Sequence, residues 1–168
     1  MSSSATIKEE SQPPTTTTTT STTAATVVLK PYPISIPTTI CRSYTILNIN
    51  TDVFVQLFSD RIFVGITQFN CKIGTYVLCQ ATISQIDHTT IDYNISTVLG
   101  NHNDAMPGVY ARRITDKLLQ QRILTKDPMC LFLGVSLKDG GKDSKMFAYI
   151  VDIVVNLIQE ALQKTSSS

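Results

Sequence analysis

Between residues 38 and 100 the chain consists largely of short segments with the composition of β-strands. Five segments rich in β-branched and aromatic residues are TTICRSYTILNI, DVFVQLF, RIFVGITQF, TYVLCQ and IDYNISTVLG. Ser59-Asp60 and the stretch from Asn70 to Gly74 supply turn residues between consecutive segments. The pattern therefore predicts an antiparallel meander, in which the segments 61–69 and 75–80 are neighbouring strands.

Two helical patterns and one further strand follow this β-rich region. After residue 100, apolar residues at Tyr110, Ile114 and Leu118 recur at i, i+4 and i+8, with Asp104 or Asn103 available as a cap. The segment MCLFLGVSL is almost wholly apolar, which is typical of a central strand covered on both faces. A run of strands followed by a helix, a strand and a helix predicts an α+β fold.

The last predicted helix, which starts after Asp143, is apolar over an arc of about 200°, twice what a helix on one sheet needs. We therefore expect it to pack on the sheet and also on a partner protein. The residues of this helix that we expect to contact the partner are Ile150, Val154, Leu157 and Ile158. The alternative is that the N-terminal tail and lead-in cover the surplus apolar surface.

The N-terminus is a low-complexity tract, QPPTTTTTTSTTAAT, that has few side chains to bury. We predict a disordered Thr/Ser-rich tail over 1–27, a folded domain over 28–164 and a disordered C-terminus over 165–168. A phosphorylated regulatory arm is the alternative interpretation of the tail.

The net charge and the hydropathy pattern argue against two classes of function, nucleic-acid binding and membrane association. The formal net charge is +1 and the pI is about 7.6, so no basic surface for nucleic acid or polybasic segment for a membrane is expected. No apolar run appears long enough to cross a bilayer, and the first residues lack a signal-peptide core. The expected compartment is the cytoplasm, with the nucleus as an additional one.

The candidate reactive group is Cys71, because Lys72 beside it could lower the thiol pKa. A cysteine nucleophile also needs a general base, and no local signature joins His88 or His102 to Cys71. Cys41, Cys79 and Cys130 are interpreted as small apolar residues. We predict no catalytic residue, cofactor or metal site, and hence not an enzyme.

Three sequence blocks, in the same order and spacing, resemble the proteasome assembly chaperone 3 family. The residues that carry the resemblance are Thr67, Gln68, Phe69, Lys72, Gly74 and Thr75 in the first block, Gly100 in the second, and Lys138 and Asp139 in the third. The resemblance covers about residues 38 to 163. The turn at Asn70-Cys71 is one residue longer than in the family, which argues against a required role for Cys71.

The resemblance implies an antiparallel, six-stranded, β-sandwich-like core flanked by two helices. It also implies a chaperone that pairs with proteasome assembly chaperone 4 and holds α-type subunits of the 20S proteasome during α-ring formation, leaving before maturation. A homodimer could form when the partner is missing. The polar loop from Ala81 to Thr90 is the candidate α-subunit contact, with Ser84, Gln85, Asp87 and His88 as its contact residues; a solvated connection is the alternative.

Two other functions are kept as alternatives. A small α+β adaptor of another intracellular complex would have the same architecture and different partners. A cysteine-dependent enzyme at Cys71 is the third interpretation, which replacement of Cys71 by Ser would separate from the other two.

Overall fold

The computed structural model describes residues 37–84, 90–123, 129–138 and 142–166. They lie in a compact unit from Ser35 to Ser168. Its elements are β1 (Thr38–Ile46), β2 (Ile49–Leu57), β3 (Ile62–Thr67), β4 (Thr75–Ile83), β5 (Ile91–Leu99), α1 (Met106–Gln120), β6 (Met129–Ser136) and α2 (Ser144–Ser166). The predicted tail and the predicted domain boundary at residue 28 lie outside the described residues.

All six described strands belong to one sheet with the order β1-β2-β3-β6-β4-β5. The β3–β6 pair is parallel, and the other neighbouring pairs are antiparallel. The prediction of an α+β fold with six strands and two helices is confirmed. The prediction of an antiparallel, sandwich-like core is wrong, because the sheet is mixed and single.

The strands β3 and β4 are not neighbours, so the predicted meander is also wrong at this point. Strand β6 lies between them, parallel to β3 and antiparallel to β4. The connection 68–74 therefore spans two inter-strand spacings, about 10 Å. The apolar composition of β6 is the physical reason, because a strand that is apolar on both faces is most stable at the centre of a sheet. The predicted central position of this segment is confirmed.

Both helices pack on the same face of the sheet. Helix α1 contacts β4, β5 and β6, while α2 contacts β1 and β2, and the two helices contact each other. The rings of Tyr110 and Phe147 join them at a centroid distance of 4.6 Å. Alternate strand residues complete this core, among them Val53, Val55, Val64, Ile66, Leu131 and Leu133, all 0 % exposed.

The wide apolar arc of α2 is explained within the chain. Ile150, Val154 and Ile158 are 0 % exposed and Leu157 is 2 % exposed. The expectation that these four residues contact a partner is wrong for the folded chain, because side chains buried between the sheet and α1 leave no surface for one. The second packing surface of α2 is helix α1, rather than a partner.

The expectation that no segment could span a bilayer is also corrected. Residues Ser144–Thr165 of α2 are long and apolar enough by length and composition. A core helix of a globular domain passes the same test, and most apolar residues of α2 belong to the core or pack against it.

The first predicted strand, TTICRSYTILNI, proves to be a hairpin. It turns at Leu47 and Asn48, which have φ values of 49° and 64°, and β2 begins at Ile49. Two residues with positive φ form the turn geometry that matches the twist of a two-stranded hairpin, although Asn-Gly is the usual sequence there. A Leu at this position gives no turn signal, which is why the hairpin is not evident from the sequence.

Candidate interaction surface

The face of the sheet opposite the helices carries an aromatic layer that no described residue of the core covers. We call this surface the open face and define it by Phe54 on β2, Phe63 on β3, Phe132 on β6 and Tyr76 on β4. These residues alternate with core residues along their strands. All four side chains are half-buried, and none packs against the core cluster under the helices.

The four rings contact one another across four neighbouring strands. The ring centroids of Phe54 and Phe63 are 5.0 Å apart, those of Phe63 and Phe132 are 5.3 Å apart, and those of Phe132 and Tyr76 are 5.5 Å apart. Such distances are those of favourable aromatic pairs, each worth about 0.5–1.5 kcal/mol beyond its area burial. The open face is therefore a continuous apolar surface.

Two glycines let these rings lie directly on the backbone of the sheet. Gly65 on β3 and Gly134 on β6 are paired in register. A Cβ atom at Gly65 would lie 1.9 Å from Cε1 of Phe54, and one at Gly134 would lie 2.9 Å from Cδ1 of Ile73 and 3.0 Å from Cε1 of Tyr76. Because glycine adds no side chain at these two positions, the neighbouring side chains lie close against the strand backbone there.

Polar residues border the aromatic layer on both sides. On the β1 side, the Ser43 hydroxyl donates to Asp52 Oδ1 at 2.6 Å, and the Thr45 hydroxyl donates to Asn50 Oδ1 at 3.2 Å. On the β5 side, Asn94 and Ser96 are exposed. An apolar centre with a polar border is the usual organisation of a protein–protein interface.

The Cys71 thiol does not have the environment of a nucleophile. Its Sγ donates to Asp52 Oδ2 at 3.7 Å, and the charge of Asp52 raises the pKa of Cys71 above the ordinary value, with burial adding to the effect. A reactive cysteine needs the opposite shift. Burial likewise raises the pKa values of Cys79 and Cys130. Cys41, expected to be buried, is exposed.

The residues Thr67 and Gln68 have structural roles. The Thr67 hydroxyl donates to the Lys72 carbonyl at 2.6 Å and accepts from the Phe69 N–H at 3.1 Å, so it closes the β3–β4 connection. The Gln68 amide, 6 % exposed, donates to Thr51 Oγ1 and accepts from the Lys138 N–H at 2.8 Å. Gln68 thereby joins β2, the end of β3 and the end of β6.

The two glycines of the resemblance, Gly74 and Gly100, differ in how strictly the backbone requires glycine. Gly100 has a φ of 104°, and a Cβ there would lie 2.3 Å from the carbonyl oxygen of Gly74. Gly74 has no positive φ, and a Cβ there would make only ordinary contacts. The Gly74 turn role expected from the sequence belongs instead to Asn70 and Cys71, whose φ values are 50° and 61°. The buried Thr75 hydroxyl accepts from the Asn101 N–H at 3.4 Å.

The remaining predicted site residues lie on the surface or outside the described residues. The side chains of Phe69, Lys72 and Lys138 are exposed. Ser84 is half-buried, and its N–H donates to the Thr90 carbonyl at 2.8 Å, so it ends the β4–β5 ladder. The residues that lie outside the described part of the chain are Gln85, Asp87, His88 and Asp139.

Sequence reasoning missed the aromatic residues of the open face. The sequence does carry a signal for this surface. Aromatic residues alternate with valine and isoleucine in β2 and β3, and two glycines, Gly65 and Gly134, lie within strands. In the described ranges, no group of three His, Cys, Asp or Glu side chains is placed to hold a metal ion.

Comparison with known proteins gives a family and a fold. A family model described as proteasome assembly chaperone 3 matches residues 64–156. A solved structure, described as the crystal structure of a novel chaperone complex for yeast 20S proteasome assembly, is similar with a TM-score of 0.53 and 15 % sequence identity. The match covers 74 % of this chain and 99 % of that one. A search of curated proteins gives no match.

Proposed function

Because this chain belongs to the proteasome assembly chaperone 3 family, we propose that it promotes 20S proteasome assembly as a heterodimer with proteasome assembly chaperone 4. In this proposal the heterodimer binds α-type subunits during α-ring formation in the cytoplasm and leaves before maturation. Its work is binding and not catalysis.

The observation that carries the proposal is the open face. Phe54, Phe63, Phe132 and Tyr76 form a continuous aromatic surface at the centre of the sheet, with the helices on the opposite face. Large apolar patches on folded chains mark interaction sites. The apolar face of one sheet can pack on the apolar face of another sheet, about 10 Å away. A partner with its own sheet would cover the aromatic layer and add a second layer to the described sheet.

The test is the affinity for proteasome assembly chaperone 4, measured by titration calorimetry with purified proteins. The variant F63S/F132S removes two rings from the centre of the open face. We expect an affinity loss of about 100-fold or more, because central aromatic residues are interface hot spots worth about 2 kcal/mol or more each. The control is F58S, since Phe58 is 43 % exposed in the β2–β3 connection and is not one of the four rings that define the open face.

A second variant tests the position of the Phe54 ring against the strand backbone at Gly65. In G65A the new methyl group would lie 1.9 Å from Cε1 of Phe54, so the Phe54 ring must move from its place in the aromatic layer. We expect a folded protein with weakened heterodimer formation. Unchanged affinity of both F63S/F132S and G65A would refute the open face as the dimer surface. Capture of only an unrelated complex from cells would refute the proposed function itself.

A further inference from the structure

A second surface lies at one end of the sheet, where four chain connections meet. We call it the turn end: the β1–β2 turn, the connections 68–74 and 100–105, and the described residues 137–138 and 142–143 that precede α2. The strand register places them together, because Asp52 pairs with Thr67, Thr67 pairs with Ser136, and Tyr76 pairs with Leu99.

Exposed apolar side chains are concentrated at the turn end. Among the described residues, seven large apolar side chains are exposed, and only Phe58 lies at the opposite end. The other six, each 45–61 % exposed, lie in these connections or within two helical turns of them: Leu47, Phe69, Val98, Leu99, Val109 and Tyr149. Scattered apolar residues are normal on a surface, but six of seven at one end indicate a binding surface.

Two features of Leu47 are energetically unfavourable in the isolated chain: its backbone conformation and the exposure of its side chain. Its φ of 49° lies in the left-handed region, which strongly disfavours residues other than Gly, Asn and Asp. Its side chain is also 49 % exposed to solvent. Asn in its place would relieve both. A residue that opposes local preference without serving the core is expected at functional sites.

Among the described residues, the lysines without a carboxylate partner all lie at the same end. Of the six lysines in the described ranges, Lys117 and Lys164 pair with Asp152 and Glu160. The other four are exposed and form no ion pair with a described residue: Lys72, Lys138, Lys142 and Lys145. They lie in the β3–β4 connection, the segment before α2 and the first turn of α2.

The carboxylates of the turn end are engaged by the chain itself. Asp52 accepts from Ser43 and Cys71, Asp104 accepts from the Met106 N–H, and Asp143 accepts from the Met146 N–H. These three carboxylates stabilise turns and helix starts, so the charged side chains of the turn end that have no partner among the described residues are the four lysines.

The turn end is also concave. A cleft of about 330 Å³ lies between the β1–β2 turn and α2, lined by Leu47, Tyr149, Tyr44 and Ile153 among others. On the other side of the same turn, a cleft of about 320 Å³ is lined by amide side chains, Asp52 and Lys138. Clefts of this size accept individual side chains.

We propose that the turn end is the client-docking surface, and that it binds an acidic protein surface carrying apolar side chains. Apolar side chains of the client enter the cleft beside Leu47, and its carboxylates pair with the four lysines. A membrane is the less suitable partner, because three carboxylates lie among the lysines and because Leu47 and Tyr149 line a cleft and do not form a protruding apolar surface. The identity of the client as an α-type subunit rests on the proposed function above.

The test is binding of the chaperone heterodimer to purified α-type subunits at several salt concentrations. In the variant K72E/K138E/K142E/K145E we expect at least a tenfold slower association at low salt, because rim charges act chiefly on the association rate. The control variant R61E/R113E/R122E/K164E makes the same change of charge with exposed residues outside the turn end. It should bind like the wild type.

The variant L47N separates binding from folding. It should raise the melting temperature, since it removes strain and exposed apolar surface, and yet weaken client binding several-fold. A residue with a merely structural role would shift both properties in the same direction.

Each outcome has a distinct meaning. If the wild-type heterodimer binds no α-type subunit, the proposed function fails. If it binds them and both charge variants bind equally well, the proposed function stands and the turn end is not the docking surface. The heterodimer could instead bind vesicles of phosphatidylserine and phosphatidylcholine, lose this binding when the lysines are replaced, and bind no subunits. That result would refute the proposal that the client is a protein.

Discussion

Replacing Gln68 by Met should destabilise the folded chain although it preserves the volume of the side chain. Gln68 is 6 % exposed and makes three hydrogen bonds: to Thr51 Oγ1 at 3.0 Å, to Met146 Sδ at 3.3 Å and from the Lys138 N–H at 2.8 Å. These bonds join β2, the segment after β6 and the first turn of α2 to the end of β3. In Q68M all three are lost.

The expected loss of stability is worked out from the two shorter hydrogen bonds of Gln68, those with Thr51 Oγ1 and with the Lys138 N–H. A hydrogen bond contributes about 1 kcal/mol net, and a polar group left without a partner costs about 1–3 kcal/mol. Since the Lys138 N–H is partly buried and Thr51 is fully buried, we expect Q68M to lower the free energy of unfolding by about 2 kcal/mol. Q68A should lower it by about 1 kcal/mol more, because it also leaves a cavity.

Urea denaturation followed by circular dichroism measures this change, with Q120M as the matched control. Gln120 is exposed at the end of α1, so Q120M should stay within about 0.5 kcal/mol of the wild type. A Q68M variant as stable as Q120M would refute the reasoning and would mean that solvent replaces the lost partners.

Two further predictions concern the turn end. G100A should cost about 3 kcal/mol or more, since a φ of 104° and a 2.3 Å approach to the Gly74 carbonyl oxygen both exclude a side chain; G74A should cost less than about 1 kcal/mol in the same urea assay, and equal costs would contradict the glycine assignment. D52N should lower the pKa of Cys71, because Asp52 is the main cause of its elevation. The alkylation rate of Cys71 by iodoacetamide near pH 8 should then rise, and an unchanged pH profile would count against the Asp52 contact.

The apolar periodicity was sufficient to predict the main strands, both helices and the buried stripe of α1 at Tyr110, Ile114 and Leu118. The predicted start of α2 after Asp143 is confirmed, and the Asp143 carboxylate accepts from the Met146 N–H at 2.8 Å. The hairpin at Leu47-Asn48 could not be predicted, because its sequence lacks the glycine that normally marks such a turn.

By itself, the amino-acid sequence determined which segments are strands and helices, since those patterns depend on neighbours within a few residues. Only the tertiary structure decided that β6 lies between β3 and β4, because strand order depends on contacts between distant segments and not on local pattern. It also decided the roles of two apolar surfaces that look alike in the sequence. The surplus of α2 is buried against α1, whereas the aromatic residues of β2, β3, β4 and β6 are covered by neither described helix, because both helices pack on the opposite face.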